Sequence, residues 1–206
     1  MARYLGPKNK LARREGEDLG FKTPGTGAHA SLLRRLNIIP GQQGKRRRKK
    51  LSEYGLQLRG KQKAKRIYGI LERQFRRYIN EASKKRGNTG DYLLGFLERR
   101  LDNVIYRTGF APTRSASRQL VSHGHVLVNE KKVDIPSFRV KKDDIVGLRS
   151  KAWKIPLIRK MLEEKNPVVP AWLERKGPMA KVLRLPERKE MPENINEQLI
   201  IEFYSR

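Results

Sequence analysis

The chain has 206 residues, 48 of them Lys or Arg against 21 Asp or Glu, for a net charge of +27 at pH 7. Charge of one sign opposes a compact state by self-repulsion until a polyanion neutralises it, so nucleic acid is the first partner to expect and an acidic membrane surface the second. Hydrophobic residues make up 37% and cysteine is absent, which allows a small core or two and excludes disulfides, thiol catalysis and thiolate-based zinc or iron–sulfur sites.

No apolar run approaches the roughly 20 residues that span a bilayer. The opening stretch, MARYLGPKNKLARREG, lacks the apolar core and cleavage pattern of a secretory signal, and Glu15, Glu17 and Asp18 argue against a transit peptide. The expected address is the cytoplasm, without membrane association.

Residues 1–45 read as a basic arm. Gly6-Pro7, Pro24-Gly25, Pro40-Gly41 and Gly44 punctuate it, and from Arg3 to Lys50 fourteen basic residues face three acidic ones. Lys45 to Lys50 is an unbroken basic run that cannot fold on itself, so the segment is expected to be extended and to order on a polyanion. Tyr4, Leu5, Leu11, Leu32, Leu33 and Ile38 supply anchors. The expected contacts are Arg3, Lys8, Lys10, Arg13, Arg14, Gln42, Lys45, Arg46, Arg47, Arg48, Lys49 and Lys50.

Residues 46–92 read as a helical domain. From Ser52 to about Lys85, Ile67, Ile70, Leu71, Gln74, Phe75, Tyr78 and Ile79 fall at helical spacing, which places one apolar stripe toward a core. The other faces are basic with few balancing acids, so Tyr54, Lys61, Lys63, Lys65, Arg66, Arg73 and Arg76 are candidate phosphate contacts.

Residues 93–158 form a second unit. Asp91 is a candidate N-cap for a helix with Leu94, Leu97, Leu101, Val104 and Ile105 on one stripe, ended by Gly109. Thr113 is the N-cap of a second helix to His123, with Gly124 at the left-handed position after it. His125 to Asn129 alternates as a strand, turns at Glu130-Lys131 and returns through Val133, and short strands are expected at Phe138–Val140 and Ile145–Leu148. On the second helix Arg114 and Arg118 are expected outward, with Ser117 between them and Thr113 at an N-terminus that favours phosphate. Gln119, His123 and His125 extend this candidate surface. His123-x-His125 as a metal site is the weaker reading, because His29 is the sole other imidazole. Residues 159–206 are expected to return to the body, with a helix at Ile155–Lys165, irregular proline-rich connections and a terminal strand at Leu199–Tyr204. The charge reverses at this end: from Pro186 on, three basic residues face five acidic ones.

The stretch Leu97–Ile145, with Arg100-Leu101-Asp102, Gly109, Arg114 through Arg118, Leu120-Val121, Gly124, Val128-Asn129 and Asp144-Ile145, resembles the RNA-binding module named after ribosomal protein S-four. It departs from the module at Glu130 and at Lys142-Asp143, turn positions where Gly is common. Ala2 to Pro7, Arg13 to Gly16, Pro40 to Gly44, LSEYGLQLRGKQKAKRIYGILERQF and the ending INEQLIIEFYSR extend the likeness to the bacterial ribosomal S-four family over nearly the whole chain.

The resemblance implies an α+β fold: a helical domain with an inserted αα-β RNA-binding module, a small antiparallel sheet plus helices, preceded by the basic arm. It implies binding to the 5′ domain of 16S rRNA at a five-way junction, early action in subunit assembly, contact with ribosomal protein S-five, a place near the mRNA entry path, and a part in translational accuracy. Many members carry a cysteine zinc site near residues 9–45; this chain has no cysteine, so no metal and no cofactor is expected. The rival readings are an RNA-modifying enzyme bearing the same module, for which about 60 residues of module leave no catalytic domain, and a DNA-compacting basic protein, against which the asymmetric build argues.

Overall fold

The computed structural model describes residues 4–42, 44, 50–164, 168–192 and 194–205. In chain order the helices α1 (Lys8–Glu15), α2 (Gly27–Arg34), α3 (Glu53–Ile67), α4 (Glu72–Ser83), α5 (Thr89–Glu98), α6 (Leu101–Arg107) and α7 (Arg114–Ser122) come first. Strands β1 (Val126–Val128), β2 (Lys131–Lys132) and β3 (Ile145–Leu148), helices α8 (Ser150–Trp153) and α9 (Pro156–Glu163), strands β4 (Leu173–Lys176) and β5 (Met179–Val182), and helix α10 (Glu197–Tyr204) follow. Two units divide them: Met1–Leu93 with Glu193–Arg206, and Leu94–Pro192. The second interrupts the first in sequence, which is the expected inserted arrangement. No helix among the described residues is long and apolar enough to cross a membrane.

In the helical unit, Ser52 caps α3 by accepting from Gly55 N, and α3 buries Gln57, Lys61, Ala64 and Ile67 on one stripe. The helical pattern from Ser52 to Lys85 breaks at Gly69, whose φ of 62° is the left-handed conformation that ends a helix, and resumes as α4 with Phe75, Tyr78, Ile79 and Ala82 buried. Residues 1–45, expected to be extended, carry α1 and α2 and bury Ala12, Leu19 and Leu32. Ion pairs explain part of the difference, because Glu15 and Glu17 pair with Arg59, Arg66 and Lys63 of α3.

The expected terminal strand at Leu199–Tyr204 is instead helix α10. Asn196 caps it by accepting from Gln198 N and Leu199 N, and Glu197 stands in the first turn. Its partners are helices: Leu199 lies against Gly60 of α3, Gln57 donates to Glu202 at 3.1 Å, and Phe203 meets Tyr54 with ring centroids 5.7 Å apart. The β-favouring composition loses to the cap and to a surface that offers side chains rather than a strand edge.

The second unit packs α6, α7 and α9 on one face of an antiparallel sheet of order β2-β1-β3-β5-β4. Val126, Val146, Val182 and Trp172 bury that face together with Ile105 and Ile158. The single helix expected through Leu94 and Ile105 is divided at Arg99-Arg100 into α5 and α6, and Asn88, not Asp91, caps α5 by accepting from Gly90 N at 2.9 Å. Gly109 (φ 72°), Thr113 and Gly124 (φ 69°) terminate and cap as expected. Phe138–Val140 forms no strand, only a bridge between Arg139 and Arg100, made by Leu101 N donating to Phe138 O at 2.8 Å and Val140 N to Arg99 O at 3.0 Å. Residues 159–192 stay in this unit and add β4 and β5 to the sheet through a turn at Gly177 (φ 58°).

The β1–β2 hairpin joins Val128 to Lys131 through Asn129 (φ 48°) and Glu130 (φ 67°), a two-residue turn with both residues left-handed. Asn129 is suited to this, and its amide also donates to Asp144 at 2.9 Å. Glu130 has no such compensation, whereas Asp143, at φ 66°, is of a residue type that tolerates the left-handed region. Glu130→Gly should therefore stabilise the unit by about 0.5–1 kcal/mol, the left-handed penalty net of the extra entropy glycine has when unfolded, read as a rise in urea midpoint. A lower midpoint would contradict the strain.

Candidate nucleic-acid interface

Helix α7 was expected to hold Arg114 and Arg118 outward. Instead positions 114, 117, 118 and 121 form one stripe turned toward the protein. Arg118 Nη2 pairs with Asp102 Oδ2 at 3.0 Å and leaves 13% of its side chain exposed. Arg100 grips the same carboxylate with Nε at 3.1 Å and Nη2 at 2.9 Å. Arg114 Nε donates to Asn103 Oδ1 at 2.8 Å, its guanidinium 4.4 Å from the Tyr106 ring centroid. Asn103 in turn donates to Glu98, which also takes two bonds from Arg107. Ser117 is buried and donates to Thr113 O at 3.1 Å, while the Thr113 hydroxyl is taken up accepting from Ala116 N. The sequence-based reading failed because an i, i+4 pair of arginines can face inward when the neighbouring helix supplies acceptors, here Asp102 and Asn103.

The outward face of α7 holds Gln119, Ser122 and His123, which are exposed. At its end a basic cluster gathers around Gly124. The His123 and His125 ring centroids are 6.2 Å apart. Arg149 Nη1 donates to Gly124 O at 3.3 Å and Arg149 N to His125 O at 2.9 Å. The Lys132 chain runs so close over Gly124 that a Cβ there would come within 2.3 Å of Lys132 Cε. Lys131 and Lys132 are exposed, and with Arg149 they form no ion pair among the described residues. Sequence reasoning missed these three; the signal was present in the two adjacent lysines that follow the hairpin turn.

In the helical unit the candidates divide by partner. Lys61 and Lys65 pair with Glu72 at 2.9 and 2.7 Å, Lys63 with Glu17 at 2.7 Å, and Arg66 with Glu15. Burial lowers the pKa of Arg66, with Glu15 opposing. Lys61 is itself buried and lies 4.2 Å from the Phe203 ring centroid, so these four cations join elements of the protein. Arg13 donates to the carbonyls of Ile38 and Ile39, and Lys8 is half-buried. Lys10, Arg14, Gln42, Lys50, Tyr54, Arg73 and Arg76 are exposed, as is Arg77 beside them on α4. Arg3 and Lys45, Arg46, Arg47, Arg48 and Lys49 lie outside the described residues. His29 is engaged with Asp18 at 2.7 Å.

Burial pushes the Glu72 carboxyl up, but hydrogen bonds from Lys65, Tyr204 and Lys61 outweigh it and hold the group at about 2. Burial and the bond to Glu72 raise the pKa of Tyr204.

Residues 3–98 match the family model described as Ribosomal protein S4/S9 N-terminal domain, and residues 99–146 match the S4 domain. The chain is 52% identical to Small ribosomal subunit protein uS4 of Xylella fastidiosa (strain M23) and to that of Dictyoglomus turgidum (strain DSM 6724 / Z-1310). It is 50% identical to the one from Xanthomonas campestris pv. campestris (strain B100), and each comparison covers 100% of both chains.

Two stability measurements check the internal role of these groups. Arg118→Met removes a charged bond to buried Asp102 and should lower the stability of the second unit by about 1.5–3 kcal/mol in urea unfolding; an unchanged midpoint would show the pair to be incidental. For Glu72, a carboxyl held at about 2 against an ordinary 4.5 stabilises the fold above pH 4.5 and loses that contribution as pH falls toward 2. The stability gap between the wild type and Glu72→Gln should therefore close across that window, and a gap that is constant with pH would refute the assignment.

Proposed function

The chain belongs to the small ribosomal subunit protein uS4 family, and from that premise we propose that it binds the 5′ domain of 16S rRNA at a five-way junction and acts early in small-subunit assembly. The family is a structural component of the ribosome and not an enzyme, and the chain carries its RNA-binding domain. On this reading the protein works in the cytoplasm as part of the ribosome, contacts ribosomal protein S-five, lies near the mRNA entry path and contributes to translational accuracy.

The observation that carries the reading is full-length identity joined to the way charge is distributed. Acids are engaged by Lys61, Lys65, Arg66, Arg107 and Arg118, while Lys131, Lys132, Arg73, Arg76 and Arg77 are left at the surface. Exposed charges of one sign suit phosphate, and an RNA-binding domain of the S4 type suits a folded RNA better than a uniform duplex.

Binding to a 5′-domain fragment of 16S rRNA should neutralise about 6–10 phosphates and so weaken by about 10³–10⁵ between 50 and 200 mM salt. Lys131→Ala with Lys132→Ala should reduce the salt slope by about two. Duplex DNA at matched salt should bind more weakly. A slope equivalent to one or two contacts, or equal affinity for DNA, would overturn the proposal.

A further inference from the structure

Helices α8 and α9 follow the region matched by the two family models, which end at residue 146. From Arg149 to Leu162 the chain carries five cations and no acid. Two are engaged, Arg149 with the Gly124 carbonyl and Arg159 with Glu163 at 3.0 Å. Lys151, Lys154 and Lys160 are exposed and in no ion pair among the described residues. Between Lys151 and Lys154 in sequence stands Trp153, the last residue of α8, with 46% of its surface in solvent, whereas the second tryptophan, Trp172, is fully buried. Leu157, one turn on, is equally open at 46%, while Ala152 and Ile158 are the residues that anchor these helices to the core.

We infer that Trp153 is a stacking platform for an unpaired RNA base, with Lys151, Lys154 and Lys160 holding the adjoining phosphates. This rests on the RNA-binding reading above and extends it to a surface where no contact had been expected. An indole left half in water wants an apolar or π-faced cover. The exposed lysines of the same segment, in no ion pair among the described residues, select a polyanion over an apolar protein face, since lysine is depleted in protein interfaces. Looped or single-stranded RNA supplies both at once, a base with a π-face and a flanking phosphate. The platform also adjoins the basic cluster at Gly124, because the Arg149 amide that begins this segment bonds to the His125 carbonyl at 2.9 Å.

The test uses the full chain, full-length 16S rRNA and three proteins: wild type, Trp153→Ala and Trp153→Phe. Emission from Trp153→Phe comes from Trp172 alone, so its difference from wild type isolates Trp153. Saturating rRNA should quench that difference signal. Trp153→Ala should bind about 5- to 150-fold more weakly, the span found for base-stacking aromatics, and Trp153→Phe should keep most of the affinity. If wild type binds while Trp153 emission is unchanged, the inference fails and the rRNA-binding reading stands. If the emission responds only when other small-subunit proteins are added, the surface takes a protein and the inference again fails. If wild type does not bind 16S rRNA at all, both fail.

Discussion

Repulsion among 48 cations is the constraint on which both units depend, and 21 acids must answer it. The structure uses a few of those acids more than once. Glu15 takes Arg59 and Arg66, Glu72 takes Lys61, Lys65 and Tyr204, Asp102 takes Arg100 and Arg118, and Glu98 takes Arg107 and Asn103. Glu15 and Glu72 tie together segments distant in sequence, and Asp102 and Glu98 tie neighbouring helices, so relieving the repulsion and fixing the tertiary structure are one act. Burial makes the arrangement exacting: a desolvated carboxylate is tolerable where its lone pairs are filled by charged donors, and removing one donor leaves the rest poorly matched.

Arginine and lysine divide the work accordingly. In the second unit arginines serve as internal staples: Arg99 donates to Val140 O, Arg175 bonds to Thr108 O and Met161 O at 3.0 and 2.8 Å with its guanidinium over Phe110, and Arg149 holds Gly124. The planar fork meets several carbonyls at once, which an ammonium cannot do. Exposed positions on the hairpin, on α8 and on α9 go mainly to lysine. Basic residues therefore do not map one-to-one onto RNA contacts, and net charge alone overstates the surface available for phosphate.

What the sequence made legible follows from this. Thr113, Gly109 and Gly124 were readable because caps and left-handed positions are local events within a turn of chain. The β1–β2 hairpin was readable from alternation, and the departures at Glu130 and Asp143 fall on left-handed residues. The α+β class and the interrupted helical unit were readable through the family resemblance. The inward turn of Arg114, Ser117 and Arg118 was not, because it is decided by Asp102 and Asn103 on another helix. Strands β4 and β5 were missed because Arg175, Lys176 and Lys181 mask a short alternation that shows only against β3. Helix α10 was misread because its strand-like composition is overruled by α3 and α4, more than a hundred residues earlier.

That last separation has a consequence during synthesis. Gln57 of α3 is bonded to Glu202 of α10 across 145 residues, whereas residues 94–192 form a continuous stretch. The interrupting unit is thus free to fold while translation continues. The helical unit, begun first, must wait with the α10 side of α3 bare for the time the ribosome takes to add those residues, about 7–30 s at 5–20 residues per second. During that interval Tyr54 and Lys61 lack Phe203, and Glu72 lacks Tyr204. A nascent chain of this kind is most exposed to misassociation just before α10 emerges, and the roughly two turns of that helix act as the latch that closes the window.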